Sequence, residues 1–329
     1  MNADVVLVAG PTASGKSAVS LALAEHIGGV LVNADSMQVY RETRVLTARP
    51  DTATLARVPH LLYGHIGVRE PYSVARYRDD AEMALRKAQA LGRLPIFVGG
   101  TGLYFSALTE GLAEIPPVPA PVRDEVRSRA KQLGVAALHA ELAAGDPETA
   151  ARLHSTDTQR VLRALEVLES TGRPLSEWQR SAGTAPLAGL RLARFVLSPP
   201  RSELHVRIAV RFESMLSAGA LDEAAALRGL DPALPAAKIL GLRELWRLSG
   251  GSATRDEAAA AAITATRQYA KRQLTWFRRR MADWMWIGGT EADAIVGKIL
   301  ACVCGPDATG FHGVALDSRV RGNDNGGAG

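Results

Sequence analysis

Eight residues near the start limit what this chain can fold into more than any other stretch. Gly10, Pro11, Thr12, Ala13, Ser14, Gly15, Lys16 and Ser17 follow an apolar run, Val5–Ala9, and open a helical segment, Lys16–Ile27. The pattern G-x-x-x-x-G-K-[ST] between a strand and a helix is a P-loop. Its glycines let backbone N–H groups surround phosphate oxygens at the positive end of a helix. Lys16 adds a full positive charge, and the hydroxyl of Ser17 can ligate Mg2+.

Further apolar runs at Val30–Asn33, 61–66, 95–98 and 194–197 read as buried strands, and helical stretches such as 73–91 separate them. Runs buried on both faces and alternating with helices predict an α/β fold with a parallel sheet. The rhythm breaks at the proline-stiffened segment 115–121, after which most of the chain to about Gly189 reads as helix. Pro121 suits a first helical turn and Gly134 a helix end. Asp146-Pro147 looks like a second start, Asp157 caps a third helix, and Gly172 stops it. The predicted organisation is therefore a P-loop α/β core in residues 1–113, an all-helical insertion in 114–190 and completion of the core in 191–304. A helix over 256–281, about 39 Å long at 1.5 Å per residue, is followed by a short strand and a last helix. The tail, 305–329, is rich in Gly, Asp and Asn without periodicity and is predicted to be disordered.

With 47% hydrophobic and 22% charged residues the chain can build a sizeable core. No apolar run reaches the roughly 20 residues of a membrane span. The first residues lack the pattern of a secretion signal. Cys302 and Cys304 are too close for an ordinary disulfide and too few for a zinc site, which suits a reducing cytoplasm. The net charge of +5 mildly favours a polyanionic partner. Between 261 and 281 the basic residues Arg267, Lys271, Arg272, Arg278, Arg279 and Arg280 occur without an acid, interleaved with Tyr269, Trp276 and Phe277. That mixture suits RNA, although the aromatics also read as a core face, Phe277 above all.

A P-loop alone implies phosphate, with ATP or GTP chemistry as the first expectation. An apolar strand ending in a carboxylate for Mg2+ is hard to find, however. Residues 95–98 run into Gly99-Gly100-Thr101, and the alternative is Asp35.

The blocks GPTASGKS (10–17), NADSMQVY (33–40), LTARP (46–50), FVGGTGLYF (97–105), DTQRVLRALEV (157–167), RFESML (211–216), ILGLREL (239–245) and TRQYAKRQLTWFR (266–278) occur in that order. In this the chain resembles the tRNA dimethylallyltransferase family, from Val5 to about Trp286. One block departs from it: the family often has Gly-Thr-Ala-Lys-Pro where this chain has Leu46-Thr47-Ala48-Arg49-Pro50. The positive charge is kept, and the turn must form without that glycine.

The resemblance implies transfer of a dimethylallyl group from dimethylallyl diphosphate to the exocyclic amine of the adenosine 3′ of a tRNA anticodon. The P-loop would hold the donor's diphosphate with Mg2+, and Arg211 would join Lys16 in stabilising the departing charge. Asp35, at a strand end, would be the base or orienting acceptor, a reading preferred over a helix cap for the segment after Ser36 or a contact behind Mg2+. Thr101 would fix Asp35 or the diphosphate, or simply cap the next helix. RNA contacts would come from Asp35, Ser36, Met37, Gln38, Thr101, Arg123, Gln159, Arg160, Val161, Leu162, Arg163, Lys238, Ile239, Leu240, Gly241, Leu242 and Arg243. For the charged members a solvated surface is the plain alternative. A cytoplasmic, monomeric enzyme acting on the anticodon stem-loop, without a membrane, is the expectation. A P-loop kinase with the helical insert as a lid is the second reading, and an RNA-binding protein without catalysis the third.

Overall fold

The computed structural model describes residues 1–181 and 183–305. The expected disordered tail lies outside the described residues, apart from Gly305.

Six strands form one sheet: β1 (Val5–Ala9), β2 (Val30–Asn33), β3 (His60–Leu61), β4 (Pro95–Gly99), β5 (Leu192–Leu197) and β6 (Met285–Ile287). Their spatial order is β3-β2-β4-β1-β5-β6, and every pairing is parallel. Because side chains alternate across a strand, the sheet feeds two cores. Val6, Val8, Ile96, Val98, Phe195 and Leu197 face one side, beneath helices α1 (Lys16–Ile27) and α14 (Ala292–Cys304). Val5, Leu7, Val30, Val32, Phe97 and Val196 face the other. There they meet α3 (Val74–Ala90), α4 (Gly102–Thr109), α11 (Ala220–Ala226), α12 (Leu242–Ser249) and α13 (Arg255–Arg280). A short helix, α2 (Thr52–Arg57), precedes β3, and α10 (Arg201–Ser217) packs along α13.

The expected strand at 61–66 is corrected to His60–Leu61. Leu62 takes a left-handed φ of 64°, which turns the chain out of the sheet, and Ile66 makes only an isolated bridge to Tyr40. The side-chain amide of Asn33 donates to the Leu62 carbonyl at 3.1 Å and holds this turn against β2.

Five helices lie between α4 and β5: α5 (Ala120–Leu133), α6 (Val135–Gly145), α7 (Pro147–Arg152), α8 (Thr158–Thr171) and α9 (Leu175–Arg180). They pack around a core of their own, with Val126, Leu138, Leu142, Val161, Ala164 and Leu165 all buried. Local chemistry sets their ends. Asp146 accepts from the Thr149 N–H at 3.1 Å and from the Ser176 hydroxyl at 2.7 Å, which ties α7 to α9. Asp157 caps α8, and Gly172 ends it at φ 68°. The long helix α13 begins with a capping box between Thr254 and Glu257.

Candidate functional site

Parallel register brings three loops to one edge of the sheet. Ala9 pairs with Gly99, and Asn33 with Val98, so the segments after β1, β2 and β4 emerge side by side at the carboxyl ends of the strands. That edge is where open α/β sheets bind ligands.

The loop after β1 has P-loop geometry. Ala13 and Gly15 are left-handed, with φ 63° and 87°. A Cβ on Gly10 would lie 2.7 Å from Ser14 Oγ and 3.2 Å from the Leu197 carbonyl, so a side chain there would displace Ser14 and crowd β5. Pro11 accepts from the Ser14 N–H at 3.2 Å and from Lys16 Nζ at 3.3 Å. The Thr12 N–H donates to Gln273 Oε1 at 2.9 Å. The buried Ser14 hydroxyl has no hydrogen-bond partner. Lys16 is buried, which pulls its pKa down to about 8; Asp35 opposes that shift and Arg211 adds to it. Burial likewise disfavours the Arg211 charge, against Asp35. These mutual influences place Lys16, Arg211 and Asp35 in one electrostatic neighbourhood.

Lys16, Ser17, Arg44, Arg49 and Arg211 line a cleft of about 590 Å³ beside the P-loop. Arg49 donates to the carbonyls of Tyr40 and Arg41 at 3.2 and 3.1 Å, so its charge is built into the wall. The turn forms here without the family glycine. Leu46 is buried, and Ala48 supplies the left-handed residue at φ 47°. Glu223, on α11, accepts from the N–H groups of Arg44, Val45 and Leu46 at 2.9, 2.7 and 2.9 Å.

Asp35 stands two residues beyond β2. Its Oδ1 accepts from the Met37 N–H at 3.0 Å, and its own N–H donates to Asn33 Oδ1 at 2.9 Å. The Thr101 hydroxyl accepts from the Ser36 N–H at 2.9 Å and donates to Ser36 Oγ at 3.1 Å; no side-chain bond of Thr101 caps α4. Gln38 spends its side-chain amide on the carbonyls of Thr47 and Ala48. Three phenols feel the Asp35 carboxylate. Burial first and Asp35 after it push Tyr63 and Tyr269 up, and burial, Tyr40 and Asp35 do the same to Tyr104. All three stay protonated.

The remaining candidates divide by burial. Val161, Ile239 and Leu242 are core residues, and Leu162 packs against the insert core. Gly241 takes φ 83° as the N-cap of α12. Leu240 lines a small cavity of about 40 Å³ with Thr12, Ala13 and Arg211. Arg123, Gln159, Arg160, Arg163, Lys238 and Arg243 are exposed, with Arg160 3.3 Å from Asp157. Arg123, Gln159, Arg160 and Arg163 belong to the insert, away from the P-loop in the chain.

Sequence reasoning gave no role to Gln273, Glu223, Tyr63 or Tyr104, and read Tyr269 only as one of several aromatics in a basic helix. Gln273 lies inside a family block, but its partners are far away in sequence and no local pattern names them. Among the described residues no group of three or more His, Cys, Asp or Glu side chains could hold a metal. A P-loop Mg2+ needs no such group, since phosphate oxygens and water supply most of its ligands. The Ser17 hydroxyl, lining the cleft beside Lys16, fits that arrangement.

No helix among the described residues is long and apolar enough to cross a membrane. Known families match along the chain: IPP transferase over residues 38–280 and Isopentenyl transferase over 3–63. A tRNA dimethylallyltransferase of Rhodopseudomonas palustris (strain BisB18) is 53% identical over 87% of this chain and 92% of its own length. One of Rhodospirillum centenum is 55% identical over 84% and 89%. The crystal structure of a tRNA isopentenylpyrophosphate transferase from Bacillus halodurans superposes with a TM-score of 0.64 at 34% identity, over 92% of this chain and 95% of that one. A eukaryotic dimethylallyltransferase acting on tRNA shares the fold, with a TM-score of 0.75 at 24% identity over 91% and 79%. A six-stranded parallel sheet carrying a P-loop beside Asp35 and Thr101, and relatives more than half identical over most of the chain, place this protein in the tRNA dimethylallyltransferase family.

Proposed function

We infer that the protein transfers a dimethylallyl group from dimethylallyl diphosphate to the exocyclic amine of the adenosine 3′-adjacent to a tRNA anticodon, releasing diphosphate. The observation that carries this reading is the juxtaposition of the cationic P-loop cleft with Asp35: Lys16 and Arg211 both feel that carboxylate.

The allylic C–O bond breaks and its electron pair leaves with the diphosphate. The backbone N–H groups of residues 10–17, Lys16 and Arg211 hold that developing charge, an interaction that strengthens in the transition state. The Ser17 hydroxyl would help to hold a divalent cation there, and such an ion would offset part of the leaving group's charge. The adenosine amine attacks the allylic carbon and becomes acidic as the C–N bond forms. Its proton passes to Asp35, for which an ordinary carboxylate suffices. Thr101, through Ser36, keeps that segment in place.

In this reading residues 1–113 and 191–304 form the donor-binding core, and 114–190 grip the anticodon stem-loop. RNA contacts fall to Asp35, Ser36, Met37 and Thr101 at the core, and to Arg123, Gln159, Arg160, Arg163, Lys238 and Arg243 on the surface. Val161, Leu162, Ile239 and Leu242 support those side chains from within. Incubation with tRNA and dimethylallyl diphosphate, followed by nucleoside mass analysis, tests the reading. An unmodified adenosine would overturn it.

A further inference from the structure

Donor and acceptor segments leave the sheet on different strands, and something must set the gap between them. Gln273 spans it. It sits on α13, 261 residues from Thr12 and 173 from Gly100, and is 6% exposed. Its Oε1 accepts from the Thr12 N–H at 2.9 Å in the P-loop, and its Nε2 donates to the Gly100 carbonyl at 2.8 Å after β4. The two bonds are complementary: Thr12 can only donate there and Gly100 can only accept, so one amide orientation satisfies both.

The surroundings leave no room for drift. A Cβ on Gly100 would collide with Gln273 Nε2 and would lie 3.2 Å from Asp35 Oδ2 and 3.4 Å from the Gly10 carbonyl. The donor loop, Gln273 and the proposed base thus meet around one glycine. Gly100 leads directly into Thr101, whose hydroxyl holds Ser36. The helix that carries Gln273 is itself anchored. Trp276 packs so tightly on Gly102 that a Cβ there would overlap its ring, and Phe277 is fully buried.

We propose that Gln273 is a positioning residue that fixes the separation between the diphosphate-binding loop and the Asp35–Thr101 segment, and so the line of approach of amine to allylic carbon. It touches neither substrate and acts through Thr12 and Gly100. The proposal rests on the transfer reaction inferred above.

Two variants test it in single-turnover reactions of preformed enzyme–donor–tRNA complex. Gln273→Met keeps the bulk and loses both bonds. Its rate of transfer should fall by about 10- to 100-fold, the scale on which small misplacements act. The Kd of tRNA and of a non-reacting thiodiphosphate donor analogue should change by less than about threefold. Gln273→Glu keeps the acceptor for Thr12 but sets a carboxylate oxygen against the Gly100 carbonyl unless it carries a proton. Its rate relative to wild type should therefore climb as pH falls, a signature that mere structural support would not produce. Three results would overturn the proposal: an unchanged rate in folded Gln273→Met, substrate affinities lost in step with the rate, or a Glu-to-wild-type ratio flat with pH. If Gln273→Met does not fold, the pH ratio decides alone. Wild-type protein that modifies no tRNA would remove the functional reading and this inference together, whereas an active wild type with indifferent variants removes the inference only.

Discussion

Glu223 holds Leu46. The carboxylate accepts the Leu46 N–H at 2.9 Å, together with those of Arg44 and Val45, and so anchors the loop that brings Arg44 and Arg49 to the cleft beside the P-loop. Leu46 is the buried one of the three, and leaving a buried N–H group without a partner costs about 1–3 kcal/mol. Glu223→Ala should lower stability by that order in chemical denaturation. Its affinity for inorganic diphosphate should fall as well, measured by calorimetry. Wild-type diphosphate affinity in the variant would mean that the loop keeps its place without Glu223.

Burial makes the Lys16 charge sensitive to pH in the mildly alkaline range. Lys16→Ala should slow single-turnover transfer by about 10²–10³-fold, the loss seen when one donor to a developing anion is removed. With a free-enzyme pKa of about 8, diphosphate binding should take up a proton at pH above 8 and none well below it. Calorimetry in buffers of different ionisation enthalpy reads this directly. The sign for stability follows from the same depression. Between 8 and the ordinary 10.5 the unfolded chain holds more protons than the folded one. The unliganded protein should therefore gain stability as pH rises across that window. Absence of proton uptake above pH 8 would show that Lys16 keeps its charge in the free enzyme.

Asp35→Asn keeps the shape of the side chain, and Oδ1 can still accept from the Met37 N–H. Basicity is lost together with the negative charge that Lys16 and Arg211 feel, so transfer should fall by at least about 10²–10⁴-fold, the usual range for a positioned base. Affinity for tRNA, measured by filter binding, should change much less. A normal rate on bound tRNA with collapsed affinity would make Asp35 a docking residue.

Arg160 and Arg163 are exposed on α8, in the helical insert with its separate core. Their joint replacement by Ala should weaken tRNA binding and flatten its salt dependence, by about 0.7–0.9 in log–log slope for each phosphate that is no longer neutralised. Donor-analogue affinity should stay unchanged. Loss of donor affinity with intact tRNA binding would instead make the insert a lid over a small substrate.

What the chain determines locally was legible in its sequence. The P-loop is contiguous, so its two left-handed residues, its strand and its helix are all written within residues 5–27. The caps at Asp146, Asp157 and Gly172 work within a turn or so of their own helix, and the insert emerged from them. Strand β3 was overextended because the apolar run continues past Leu61, and only the left-handed Leu62, held by Asn33 from a neighbouring strand, ends the pairing. Val161, Leu162, Ile239 and Leu242 sat inside family blocks, and burial separated them from their exposed neighbours. The roles of Gln273 and Glu223 were not legible for a different reason. Each satisfies backbone groups more than 170 residues away, and a hydrogen bond of that kind exists only after the parallel sheet has brought its carboxyl edges together. The sequence alone determined that a P-loop would stand at the end of β1; the tertiary structure decided which side chains hold that loop against the Asp35 segment, because only packing sets distances between remote segments.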